Sequence, residues 1–176
     1  MKTNLWDKYL HSHPASAEYL RFCRKEKVPS EGAPQRAKRI MELAASHGYL
    51  PLLQELQKDF ELVCCWGGHD VFASACSGGH LEIMGWLRSE GCPWDASACG
   101  GAAWGGHLET LKWLRSEGCP WDESACEGGA AGGQLEVLMW LRSEGCPWNA
   151  RACEGAALNG NFEVLKWLRS EGCPLE

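Results

Sequence analysis

Apolar residues recur at helical spacing in the stretch HLETLKWLRSEG that begins at His107. Leu108, Leu111 and Leu114 share one face, while Thr110, Lys112 and Arg115 point elsewhere. Gly118 and then Pro120 supply the stop signal that ends such a helix. The pattern then repeats. WLRSEGCPW starts at Trp86, Trp113 and Trp140 and returns as WLRSEGCPL from Trp167, each copy 27 residues after the last. Cys92, Cys119, Cys146 and Cys173 keep the same interval. A fixed period in this range predicts a stack of supersecondary units.

The segment preceding each of these helices is less obvious. SACEGGAAGG from Ser124 is rich in glycine, and each glycine inside a helix costs about 1 kcal/mol relative to alanine. Two features still predict a helix. Ser124 and Glu127 have the spacing of a capping box, and Ala130 and Ala131 allow a neighbouring helix to approach closely. A helix so poor in intrinsic stability depends on stacking. Each unit thus reads as helix, Gly-Gly turn, helix, Gly-x-Pro turn.

The register extends backwards. DVFASACSGGHLEIMGWL from Asp70 is a full unit, and RIMELAASHGYLPLLQEL from Arg39 is a degenerate one with Ala44, Ala45 and Gly48 in matching places. Five helix pairs are expected, at about 36–60, 69–94, 96–121, 123–148 and 150–175. Residues 1–35 are expected to form a separate two-helix cap, with Leu5, Trp6, Tyr9 and Leu10, then Tyr19, Leu20 and Phe22, as its apolar stripes.

RACEGAALNGN from Arg151, continued by FEVLKWLRSEGCP, resembles the ankyrin repeat. Ala156 and Ala157 fall on that family's paired alanines, Gly160 on its turn glycine, and Val164, Leu165 and Leu168 on its second-helix core. The chain is most similar to the short, Trp- and Cys-rich variety found in protist, algal and large-virus proteins. The resemblance implies an all-α, ankyrin-like solenoid of about five helix pairs. It departs from the family where Ser-Ala-Cys-Gly at 97–100 and Ser-Ala-Cys-Glu at 124–127 replace the usual Thr-Pro-Leu-His. A 27-residue unit is also shorter than the usual one of about 33. Short inter-repeat turns therefore replace projecting β-hairpin fingers, and recognition falls to the helix faces.

Charge narrows the partner. The net charge of −6 divides unevenly: residues 1–60 carry ten basic against seven acidic side chains, and residues 61–176 carry seven against sixteen. An acidic array repels phosphate backbones, so nucleic acid is not expected and a protein with a neutral or basic surface is. Neither end carries a long apolar run, so no membrane span and no secretory segment is expected. Seven of the eleven cysteines occupy repeat-equivalent positions, where stacked helices stand roughly 8–10 Å apart, too far for a disulfide. They read as small buried residues of a reducing, cytoplasmic compartment, with organellar and virus-assembly locations also open.

No catalytic motif emerges. His80 and His107 are replaced by Gln134 and Asn161 in the later units, an exchange that suits a hydrogen-bonding turn residue and not a metal ligand or general base. His69 beside Cys64 and Cys65 lacks two further ligands. The glutamate row Glu82, Glu109, Glu136 and Glu163 is a repeated solvated face. No enzyme activity and no cofactor is expected. The expected function is that of a non-catalytic protein–protein adaptor or scaffold; the rival is a permanent structural or linker subunit of a large assembly.

Trp86, Trp113, Trp140 and Trp167 are expected to pack between units, and Trp94, Trp121 and Trp148 to cover the following seam. Trp104 differs, because the equivalent places hold Ser77, Ala131 and Leu158. It is a candidate partner anchor, the alternative being an incidental surface ring. Leu158, Asn159, Glu127 and Glu154 are placed around it. The last unit keeps Val164, Trp167 and Leu168, and Leu175 stands where other units have Trp. That end is expected to expose an apolar strip open to a partner or to end-to-end self-association.

Overall fold

The computed structural model describes residues 33–60 and 70–174. Among these residues the protein is all helical, with ten helices and no strand. In chain order they are α1 (Ala33–Ser46), α2 (Leu50–Phe60), α3 (Asp70–Ser77), α4 (Leu81–Ser89) and α5 (Ala96–Gly105). Then follow α6 (Leu108–Ser116), α7 (Glu123–Ala131), α8 (Leu135–Ser143), α9 (Ala150–Leu158) and α10 (Phe162–Ser170). They form five consecutive pairs at the expected positions, and the connections 90–95, 117–122 and 144–149 between pairs are short and strand-free. The cap expected over residues 1–35 lies outside the described residues apart from those that open α1. So do the Cys64-Cys65-Trp66 run, His69 and Leu175.

The first helices of the last three pairs start at an Asx cap. Asp95, Asp122 and Asn149 are extended and accept the backbone N–H of Ser97, Ser124 and Arg151 at 2.9, 3.0 and 3.0 Å. The capping box expected from Ser124 and Glu127 does not form. Asp122 already satisfies the orphan N–H at the start of α7, and Glu127 instead accepts the amide of Asn149 at 2.8 Å. Ser124 Oγ is left enclosed without a hydrogen-bond partner among the described residues.

Second helices close with paired bonds over a left-handed glycine. After α6, Gly118 N–H reaches Arg115 O at 3.1 Å and Cys119 N–H reaches Leu114 O at 2.9 Å, with φ +79° at Gly118. The buried stripe of these helices differs by one position from the expected one. Thr110 is buried and Leu108 only half-buried. Ile83, Val137 and Val164 occupy the equivalent of Thr110, so its methyl group fills a β-branched slot.

The pairs are joined chiefly along their first helices, where α1, α3, α5, α7 and α9 touch in succession. Small residues make this possible. A Cβ on Gly128 would stand 2.3 Å from Gly100 O, and one on Gly132 2.1 Å from Trp104 O, so backbone meets backbone there. Larger side chains fill the second-helix layer, with Met84, Leu87, Leu111, Leu114, Leu138 and Leu141 fully buried.

Aromatic rings seal the seams of that layer. Trp94, Trp121 and Trp148 lie edge-on to Trp113, Trp140 and Trp167 of the next unit, with centroids 6.3, 6.0 and 6.1 Å apart. Arg88, Arg115 and Arg142 each lay a guanidinium 3.9 Å over the centre of the turn tryptophan and donate to the carbonyl of Cys92, Cys119 and Cys146.

Candidate functional site

Each unit reaches back to the one before it through the residue that opens its second helix. His80 Nε2 lies 3.1 Å from Ser46 O, and His107 Nε2 lies 3.0 Å from Ser77 O. A carbonyl only accepts, so both rings carry a proton on Nε2. Gln134 donates to Trp104 O at 3.5 Å and Asn161 to Ala131 O at 2.8 Å. None of these four side chains caps its own helix. The His, Gln, Asn exchange is therefore a conserved geometry with three donors, as a hydrogen-bonding turn residue requires.

This ladder holds Ser77, Trp104 and Ala131 near the ends of α3, α5 and α7, and Leu158 has the equivalent place on α9. The carbonyls of the first three serve the stack, which leaves their side chains free to vary. Ser77 turns its hydroxyl to Ser74 O at 2.9 Å and, like Ala131, is half-buried. Trp104 is 57% exposed and Leu158 87%. One helix stands between Trp104 and Leu158, which separates them by roughly 16–20 Å at usual helix spacings. They belong to one face but not to one contact.

The other expected site residues divide. Glu154 is exposed on α9, one turn from Leu158. Glu127 is half-buried and committed to Asn149, and Asn159 donates to Gly155 O at 2.8 Å, so both also serve the fold. Around Trp104 the first-helix surface is floored by Ala73, Ser74, Gly100, Gly101, Gly128 and Ala131, none of them wholly buried. Its exposed charges on α7 and α9 are Glu123 and Glu154 against Arg151, which leaves the face acidic.

At the C-terminal end the apolar strip is made of other residues than expected. Val164 and Leu168 are buried, because they face α9 within their own pair, and Trp167 is half-covered by Trp148. The exposed apolar side chains are Ala157, Leu158 and Phe162, with Leu165 half-buried. Phe162 is 72% exposed and stands where the other units have Leu81, Leu108 and Leu135. That single change from leucine to phenylalanine was the signal in the sequence.

Eight described cysteines are free and buried. Comparing equivalent positions misses their neighbours, since within a unit Cys99 lies beside Cys119, Cys126 beside Cys146 and Cys153 beside Cys173, while Cys99, Cys119, Cys146 and Cys173 donate to the carbonyls of Pro120, Asp95, Asp122 and Asn149. The hydrogen bond with Cys119, and burial after it, push the Cys99 thiol far up, and Cys146 acts in the same way on Cys126. Cys119 and Cys146 are pulled down by that same bond, so each pair titrates as a unit. Burial raises Cys92 to about 11 and leads the causes that raise Cys173 to about 12. The thiols raised in this way, Cys92, Cys99, Cys126 and Cys173, stay neutral at physiological pH.

Among the described residues no three His, Cys, Asp or Glu side chains converge as a metal site. No helix among them is long and apolar enough to cross a membrane. In comparisons with known proteins, no family model matches the chain and no curated protein matches it.

Proposed function

We propose that the chain is a non-catalytic protein-binding array of the short ankyrin-like kind, an adaptor or scaffold that holds its partner on the first-helix face. One observation carries this. Trp104 presents 57% of its surface at a position where the other units manage with Ser77, Ala131 and Leu158. The stack uses its carbonyl, through Gln134, and not its ring. A large exposed aromatic that the fold does not require is the usual anchor of a binding hot spot. The acidic surroundings suit a partner with a neutral or basic surface. Free buried thiols in every described unit after the first favour a reducing, cytoplasmic location.

The test is affinity capture with the native chain and the Trp104→Ala variant side by side, followed by affinity measurement on the captured protein. The variant should lose about tenfold or more in affinity, the scale of a hot-spot truncation, with unchanged helicity. Equal affinity overturns the proposal for Trp104. A permanent structural role in a larger assembly is the second reading, favoured by the exposure of Leu158 and Phe162 at one end.

A further inference from the structure

The turn tryptophans Trp94, Trp121 and Trp148 are each served by an arginine of the chain itself. Arg88, Arg115 and Arg142 hold a guanidinium 3.9 Å from the ring centre. Trp104 offers the same π-face without that companion. Among the described residues no cation and no other ring lies against it. The residue is 57% exposed, and the stack engages its carbonyl through Gln134.

The edge around it is acidic. Trp104 stands next to last in α5, at the edge where first helices turn into second ones. Each second helix opens at this edge with an exposed glutamate: Glu82, Glu109 and Glu136. Glu109 is paired with Lys112 at 2.7 Å. Glu82 and Glu136, one pair to either side of Trp104, have no ion pair among the described residues. His80 and His107 share the edge, but their Nε2–H groups are committed to Ser46 O and Ser77 O. Adjacent pairs stand roughly 8–10 Å apart, so a cation over Trp104 lies within about a Debye length of both carboxylates.

We propose that Trp104 receives an arginine from a basic segment of the partner protein, its guanidinium stacked on the indole and its charge facing Glu82 and Glu136. The inference rests on the protein-binding reading and names what that anchor takes. Charge decides the occupant. An apolar partner over this edge strips water from two carboxylates and leaves them unpaired. A second copy brings the same acidic array, since residues 61–176 carry seven basic side chains against sixteen acidic ones. Of those seven, Arg88, Arg115 and Arg142 already lie on their own tryptophans and Lys112 on Glu109. Arginine suits the ring better than lysine, because its planar, weakly hydrated cation stacks. The site faces sideways from the stack, so a further pair added at either end of the array would not cover it.

The probe is a capped peptide of alternating glycine and arginine, titrated into the full chain beside its lysine and citrulline counterparts. The indole N–H resonance of Trp104, identified by its absence in Trp104→Leu, reports on the ring. Leu158 holds the equivalent position, so the fold accepts leucine there. The arginine peptide should shift that resonance and bind about threefold or more tightly than the lysine peptide, the scale of an exposed cation–π contact. The uncharged citrulline peptide should leave the resonance unmoved. In Trp104→Leu the arginine and lysine peptides should bind equally. Glu82→Gln with Glu136→Gln should weaken the arginine peptide about fivefold. Equal binding of the two cationic peptides by the native chain, or an arginine preference that survives in Trp104→Leu, overturns the proposal. A resonance that moves with protein concentration alone would make the occupant a second copy. One that responds to the peptide only after Arg21→Gln and Arg24→Gln would make it the chain's own leading segment. Either outcome overturns the choice of a foreign segment. If the captured protein needs Trp104 but the peptides show no arginine preference, the protein-binding reading stands and this inference falls. If the preference follows Trp104 while the captured protein binds Trp104→Ala normally, the arginine site stands and the adaptor reading falls.

Discussion

Trp121 meets Trp140 edge-on across the joint between the third and fourth pairs, with ring centroids 6.0 Å apart at 67°. Arg115 lies over the Trp121 ring at 3.9 Å and is itself tied to Cys119 O. The turn ring is thus held between a cation of its own unit and an aromatic edge of the next. Truncating a fully buried Trp costs about 3–5 kcal/mol, and this ring is half-buried. Trp121→Ala should therefore lose about 2–3 kcal/mol of stability in denaturant titration. Trp104→Ala, on the open face, should stay within about 0.5 kcal/mol. Similar losses for the two would refute the division between seam and surface tryptophans.

Helix starts give a second contrast. Asp122 caps α7 and Ser124 does not. Asp122→Ala should cost about 1 kcal/mol, the usual worth of an N-cap. Ser124→Ala removes an enclosed hydroxyl with no partner, and should be neutral or slightly stabilising. Thermal melts of the two variants decide it, and the reverse order would restore the capping box.

Close approach gives a third. Gly132→Ala places a methyl group 2.1 Å from Trp104 O, so α5 and α7 must move apart. Gly155→Ala brings its methyl to 3.3 Å from Ala131 Cβ, a contact that a small shift relieves. The first should destabilise by about 2 kcal/mol or more and the second by under about 1, the lower because alanine is the better helix former. Equal melting temperatures for both variants would count against the backbone contact.

The thiols set an alkaline limit. Burial lifts Cys76 well above the usual thiol value and Cys92 to about 11, and it leads the causes that lift Cys173 to about 12. An unfolded thiol titrates near 8.5. The folded state therefore holds these protons more tightly, so their contribution is complete below about pH 8.5 and declines as pH rises from there toward 11–12. Denaturant midpoints measured at pH 8 and pH 10.5 should fall with pH, and Cys92→Ser should flatten that slope. A midpoint independent of pH across this window would show that the thiols ionise as freely folded as unfolded.

The helix pairs were legible because a strict interval outweighs weak local propensity. Glycine-rich α7 would fail any test of intrinsic helicity, yet its place in the repeat predicted it. The roles of His80 and His107 were legible for a related reason: exchange with Gln134 and Asn161 leaves only the shared N–H. What the sequence concealed were pairings between unlike positions. Cys99 meets Cys119 because α5 and the following turn converge, and equivalent positions say nothing about that. The cap at Asp122 was hidden behind Ser124, an equally good capping residue two places later. Val164 and Leu168 were expected outside, because the helix was considered without the partner in its own pair that covers them.

The joint made by Asn161, Gly133 and the Ala131 carbonyl uses the same parts as the three before it. Each unit therefore presents forward a glycine and a carbonyl like those it receives from behind, and the chain is assembled like beads with equivalent couplings. Length in such an object is a free variable. One unit can be gained or lost without redesigning its neighbours, and each changes the reach by one helix spacing, roughly 8–10 Å. What an exchange of units does alter is which bead carries the tryptophan.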